Sequence, residues 1–182
     1  MNRKLSSVAI PVALLLILGA AAGGMAALSA LPRASERQGA FGQSAVSLPD
    51  VTLTDHHARS GALLSELVGD DLLVVTFNYT TCQSICGVGN AVMQELDRTV
   101  AARLKRPVRL LSITINPTVD TPDTLAKAAV EYGPSERWLW TTGDPVDIAT
   151  ILVRAEAKVA DIELHDLVFI VGDGRRKQFH RL

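Results

Sequence analysis

The sequence predicts an α/β fold, one mixed sheet with helices on both faces. Three observations lead there. The run LLVVTFNY at 72–79 is apolar enough to be a strand buried on both sides, and VRLLSITI at 108–115 reads as the next strand. Segments with helical signals follow them, at 88–104 and 121–133. The last stretch, LVFIVGDGRRKQFH at 167–180, reads as a β-hairpin with GDG supplying turn residues. A strand–helix alternation closed by a hairpin fits a single mixed sheet, with no internal repeat and one core-forming domain over residues 50–182.

The N-terminus is of another kind. Arg3 and Lys4 are followed by no charge from Leu5 to Pro32. As a helix, the apolar core at 8–30 would span about 35 Å, enough to cross a bilayer's hydrocarbon. Residues 1–32 are therefore expected to be a membrane anchor, a single transmembrane helix. Its basic flank stays in the cytoplasm, which places the rest of the chain in the periplasm of a bacterial inner membrane. A cleaved signal peptide is the rival, because small residues near Ala27 and Ser29 suit a peptidase. Either way, the chain's cysteines face an oxidising compartment. The polar, aperiodic stretch 33–49 reads as a flexible linker.

Within the domain, VTLTD at 51–55 is a short strand, and an apolar turn is expected around Leu63, Leu64 and Leu67. Val88, Val92, Leu96, Val100 and Leu104 recur one helical turn apart and mark the face of an amphipathic helix. Thr121 caps the next helix, with Pro122 in its first turn and Gly133 as its stop. WLWTTGD at 138–144 is a strand and turn, after which Asp144 caps a helix running to about Lys158. The net charge of −1 gives no sign of a nucleic-acid partner, and RRK at 175–177 is explained as a solvated strand end.

Chemistry concentrates at Cys82 and Cys86, the only cysteines of the chain, just past the 72–79 strand. Ligands of α/β sheets bind at such strand ends. If a helix starts near Cys82, the i,i+4 spacing puts both thiols on one face, able to share a metal or, after modest rearrangement, to form a disulfide. A helix N-terminus also favours the thiolates. A structural disulfide is the plainer alternative, but it would close so small a loop that it stabilises little. His165 opens the last strand pattern, either as an ordinary loop-edge residue or as a third ligand; two thiolates and one imidazole suit Cu(I), whereas zinc usually takes a fourth ligand. His56, His57 and His180 read as solvent-facing. Asp120, Asp123 and Asp144 read as carboxylates at helix starts. Asp166 alternates away from His165, and Phe77 and Tyr79 read as core or rim aromatics.

Four stretches, VVTFNYTTCQSICG at 74–87, LLSITINPTVDTPDTLAKAAVEYG at 110–133, WLWTTGD at 138–144 and LHDLVFIVGDG at 164–174, resemble the SCO/SenC family of membrane-anchored copper chaperones over residues 45–182. The resemblance implies a thioredoxin-like fold and copper held by Cys82, Cys86 and His165, as Cu(I) first and Cu(II) as an alternative. It implies delivery to the binuclear copper centre of cytochrome c oxidase subunit II, or reduction of that subunit's cysteines by Cys82 and Cys86 acting as a redox pair. Another periplasmic copper chaperone or a thiol reductant is the further partner implied. The chain departs from the family at Gln83 and Gly87, which follow the cysteines in place of proline. It departs again at Ile115–Pro117, where Asn116 replaces a carboxylate, and at Leu164, where an aspartate usually precedes the histidine.

Overall fold

Apolar residues two apart on neighbouring strands build two cores, one on each face of a single eight-stranded sheet. The computed structural model describes residues 43–158, 161–162 and 165–182. The strands are β1 Ser44–Val46, β2 Thr52–Asp55, β3 Ser60–Ala62, β4 Leu72–Asn78, β5 Val108–Thr114, β6 Trp138–Gly143, β7 Phe169–Asp173 and β8 Gln178–Arg181. Three helices, α1 Cys86–Arg103, α2 Pro122–Ala129 and α3 Pro145–Arg154, connect them, with a short π-helical turn at Leu63–Val68. The sheet order is β1-β8-β7-β4-β5-β6-β2-β3. β4, β5 and β6 run parallel, and every other neighbouring pair is antiparallel.

Leu73, Val75 and Phe77 on β4, Leu111 and Ile113 on β5 and Leu139 on β6 face the first core, covered by α3 and the π-helical turn. Val108 and Leu110 on β5 and Trp138 and Trp140 on β6 face the second, covered by α1 and α2. The predicted mixed sheet with helices on both faces is thus what forms, with β4 and β5 at its centre.

The predicted apolar face of α1 is only partly the buried one: Val100 is buried and Leu96 packs on the second core, but the other three residues are exposed. Cys86, Asn90, Met93, Asp97 and Val100 point inward, while Val88 is 53 % and Val92 40 % exposed. Residues four apart advance 400° around a helix of 3.6 residues per turn, so a strict i+4 series drifts about 40° per step and cannot hold one face. Alternating steps of three and four can, even where the inward residues are polar.

Other boundaries moved for local reasons. Ser44–Val46 falls inside the stretch read as a linker but pairs with β8 as an edge strand. α2 starts as predicted, with Thr121 Oγ1 accepting the Thr124 N–H, and ends at Ala129 instead of near Gly133. α3 has the predicted Asp144 cap and ends at Arg154, not Lys158. There Glu156 turns left-handed at φ 54°, and the Ala157 N–H reaches back to Leu152 O, closing the helix. The hairpin turn is Gly174–Lys177, so Gly172 and Asp173 belong to β7. Gly172 is needed there because a Cβ would lie 2.3 Å from Phe179 Cδ1. Among the described residues, no helix is long and apolar enough to cross a membrane, and the predicted anchor at 1–32 lies outside them.

Away from the cysteines, Arg106 grips Asp173 with both terminal nitrogens, at 2.6 and 3.0 Å. This guanidinium holds the Asp173 carboxyl down to about 2. A depressed carboxyl contributes stability that is complete above the ordinary carboxylate pKa and lost as pH falls through the folded value. Wild type is therefore expected to lose this contribution between about pH 4 and pH 2, and Asp173→Asn to lack that part of the acid limb. Melting temperature against pH tests it; the same slope in both proteins over that window would remove the pair from the acid response. The pair is partly solvated, so the effect is modest.

Candidate metal centre

β4 ends at Asn78, whose side chain donates to Asn90 of α1 at 3.0 Å, fixing the strand end beneath the helix. Between them runs the loop carrying the first cysteine, where the Cys82 N–H closes a turn on Tyr79 O. The helix begins at Cys86, not near Cys82. Only Cys86 therefore sits in the helical first turn, where the backbone dipoles favour a thiolate. Cys82 comes back to it through the loop, with the Cα atoms 6.1 Å apart and the sulfurs joined as a disulfide.

His165 arrives from the far end of the sequence because β7 pairs antiparallel with β4, Thr76 opposite Phe169. That pairing puts the entry of β7 beside the exit of β4. Its Nε2 lies 3.3 Å from Cys86 Sγ. Its Nδ1 is 3.0 Å from Ile162 O, a carbonyl that can only accept, so Nδ1 carries the proton and the Nε2 lone pair faces the sulfur. Tyr79 meets the imidazole edge-on, ring centres 5.5 Å apart. Gly89 gives the histidine segment room, since a Cβ there would come within 2.9 Å of Leu167 Cδ1. Cys86 and His165 are 5 % and 8 % exposed, and Cys82 is half-buried.

One ligand atom from each of Cys82, Cys86 and His165 lies within 4.8 Å of the others, the single such cluster among the described residues. Once reduced and deprotonated, the pair presents two soft sulfurs and one imidazole nitrogen, a set suited to one soft cation. A cleft of about 330 Å³ opens beside the sulfurs, bordered by Asn90, Glu131, Tyr132 and Trp140. A larger hollow of about 760 Å³, among Lys105, Arg106, Arg109 and Arg137, lies where the strands begin and touches none of the three residues.

A family model described as SCO1/SenC matches residues 49–163, more than half of the chain. The chain belongs to the SCO1/SenC family. The matched stretch contains both cysteines and stops two residues before His165, so the histidine's place in the site comes from the geometry above. Solved structures agree on the fold. BsSco, a member of the Sco family of cytochrome c oxidase assembly proteins with a disulfide switch, is 23 % identical, with 77 % of this chain and 84 % of that one covered at a TM-score of 0.65. A SCO1/SenC family lipoprotein from Bacillus anthracis is 21 % identical, covering 75 % and 83 % at 0.64. Copper-bound yeast Sco1 is 18 % identical, covering 74 % and 79 % at 0.59. No curated protein is significantly similar to the chain. The SCO1/SenC domain is accordingly thioredoxin-like, a mixed sheet with flanking helices.

The remaining sequence expectations divide. Asp144 caps a helix as read, His57, His180 and Asp166 are exposed, and Phe77 is core. His56 is not simply solvent-facing: its Nδ1 accepts the Trp140 N–H, and burial lowers its pKa. Asp120 directly precedes the α2 cap, as read, but is 1 % exposed and bonded to Thr80 and Thr114 rather than to the helix's first amides. Tyr79, Ile162 and Asp120 support the site without any signal in the spacing of the sequence, since their roles depend on partners 86, 3 and 40 residues away.

Proposed function

We propose that the chain is a copper chaperone that binds Cu(I) through Cys82, Cys86 and His165 and delivers it to the binuclear copper site of cytochrome c oxidase subunit II. The observation that carries this reading is the convergence of two sulfurs and an unprotonated imidazole nitrogen at one strand end. Family membership and the copper-bound relatives support it. Loading begins with reduction: two electrons from a thiol reductant open the Cys82–Cys86 bond, and the copper cargo displaces the thiol protons. Half-exposed Cys82 is the side from which copper enters and leaves. Cu(I) is the state the donor set suits, with Cu(II) as an alternative. The uncharged segment 8–30 supports a location at the periplasmic face of a bacterial inner membrane, within reach of a membrane-bound oxidase.

A second reading rests on the disulfide itself. The same pair, reduced, attacks a disulfide of the client, passes through a mixed disulfide and ends oxidised while the client's cysteines end reduced. His165→Ala separates the two, because the imidazole supplies a ligand and no electrons. The expected result is that the variant still cycles between dithiol and disulfide but no longer retains copper for transfer to an oxidase copper-site domain. If the variant transfers copper as well as wild type, the carrier mechanism fails as drawn. If wild type transfers none and readily reduces the client disulfide, the oxidoreductase reading replaces it.

A further inference from the structure

Asp120 belongs to neither the ligand set nor a solvated helix start. It is 1 % exposed, and hydrogen bonds from three donors reach its carboxylate. These come from the Thr80 N–H, 3.1 Å from Oδ2, from the Thr80 hydroxyl, and from the Thr114 hydroxyl at 2.5 Å. Thr114 is the last residue of β5, and the residue after Asp120 caps α2. Thr80 stands two residues before Cys82. One buried carboxylate thus ties the end of a central strand and the start of a helix to the cysteine loop. Burying a carboxylate is costly unless donors surround it, and here every donor belongs to one of those anchoring points.

The three ligands are not equally held. Cys86 is fixed by the first turn of α1, and His165 by Ile162 O and the edge of Tyr79. Cys82 sits on irregular backbone. Among the described residues, the Thr80–Asp120 contact is the hydrogen-bonded link from loop 79–85 to the β5–α2 side. We propose that Asp120 is a positioning residue for the centre: by clamping Thr80 it sets where Cys82 Sγ stands relative to Cys86 Sγ and His165 Nε2. This rests on the carrier reading above for its copper consequence, and on the disulfide alone for its redox one.

The test uses the purified full chain with Asp120→Ala, Asp120→Asn, Thr80→Ala and Thr80→Ser. Asp97→Ala serves as control. Asp97 is likewise a buried carboxylate, 9 % exposed, accepting from the Ser135 N–H and hydroxyl, but it lies three helical turns into α1. Two quantities are read: Cu(I) affinity against a competing chelator, and the glutathione redox ratio at which the pair is half reduced. Asp120→Ala and Thr80→Ala are expected to weaken Cu(I) binding about tenfold or more, the range for loss of a group that orients a ligand, and to shift the redox midpoint. Asp120→Asn keeps one acceptor oxygen and should fall between, and Thr80→Ser should restore wild-type values. Asp97→Ala should lower the melting temperature yet move neither reading. Wild-type affinity and midpoint in Asp120→Ala and Thr80→Ala overturn the proposal, as do equal shifts in Asp97→Ala. Should Asp120→Ala not fold, Thr80→Ala decides, because it removes one hydroxyl and one methyl only. Should wild type bind no Cu(I), the carrier reading fails by itself, and a midpoint shift in Thr80→Ala absent from Asp97→Ala still supports the clamp.

Discussion

Serine at either Cys82 or Cys86 is expected to lower Cu(I) affinity by about two to three orders of magnitude. Structural zinc sites give the scale. Roughly 10–16 kcal/mol shared among four ligands is about 2.5–4 kcal/mol each, or about 10²–10³-fold. A three-ligand site has less to spare, because one sulfur and one nitrogen no longer enclose a soft ion. The fold should survive either change. The disulfide spans only residues 82–86, so its removal releases little chain entropy. The affinity loss therefore reports on ligation and not on unfolding. Competition against a Cu(I) chelator measures it, with the melting temperature recorded alongside. Wild-type copper retention in Cys86→Ser would show that the buried sulfur is not a ligand.

Trp138→Ala should be the most damaging single truncation in the core that supports the site. Its side chain is fully buried on β6, with its ring centre 5.8 Å from that of Trp140 and 6.3 Å from that of Tyr132. Its indole N–H donates to the buried Ser112 hydroxyl at 2.9 Å. Loss of that volume from a close-packed interior costs about 3–5 kcal/mol, a large share of the 5–15 kcal/mol typical of a whole domain. Trp138→Phe keeps most of the area and orphans only the Ser112 hydroxyl, so its cost should be nearer 1–3 kcal/mol. Urea midpoints for the two variants and wild type give the ranking. A Trp138→Ala midpoint within error of wild type would mean that α2 and the strands beneath it are held by something other than this aromatic cluster. α2 follows directly from Asp120, so a loosened second core should also loosen the loop before Cys82.

The local signals that proved sound were those carried by backbone chemistry. A caps residue such as Thr121 or Asp144 works within three residues of itself, and the structure has both bonds. The central strands were recognisable because burial on both faces favours mostly apolar runs, nearly continuous in Leu72–Phe77 and interrupted by Arg109 and Ser112 in Val108–Ile113. Where the signal needed a direction in space, it misled. The valines of α1 promised an apolar face, but the helix turns Asn90 and Asp97 inward, because Asn78 and Ser135 wait there with donors. Helix ends shifted where a left-handed residue, Glu156, ended the run without a glycine to announce it. Ser44–Val46 looked like tether because an edge strand of three residues has no periodicity to show; only β8 makes it a strand.

The alternation of strands and helices and the cysteine pair at a strand end were legible along the chain. The sequence also supplied the family resemblance that singled out His165. Those follow from residue type and spacing along the chain, which act over one or two turns or the length of one strand. How His165 comes to meet the sulfurs, and which carboxylate holds their loop, depends on the strand order. Cys86 and His165 are 79 residues apart and meet because β7 lies antiparallel against β4. Thr80 and Asp120 are 40 apart and meet because β5 lies parallel on its other side. No local propensity encodes a strand order, which is set by how two cores close over both faces of the sheet at once. The candidate metal centre is where that order brings its two consequences together.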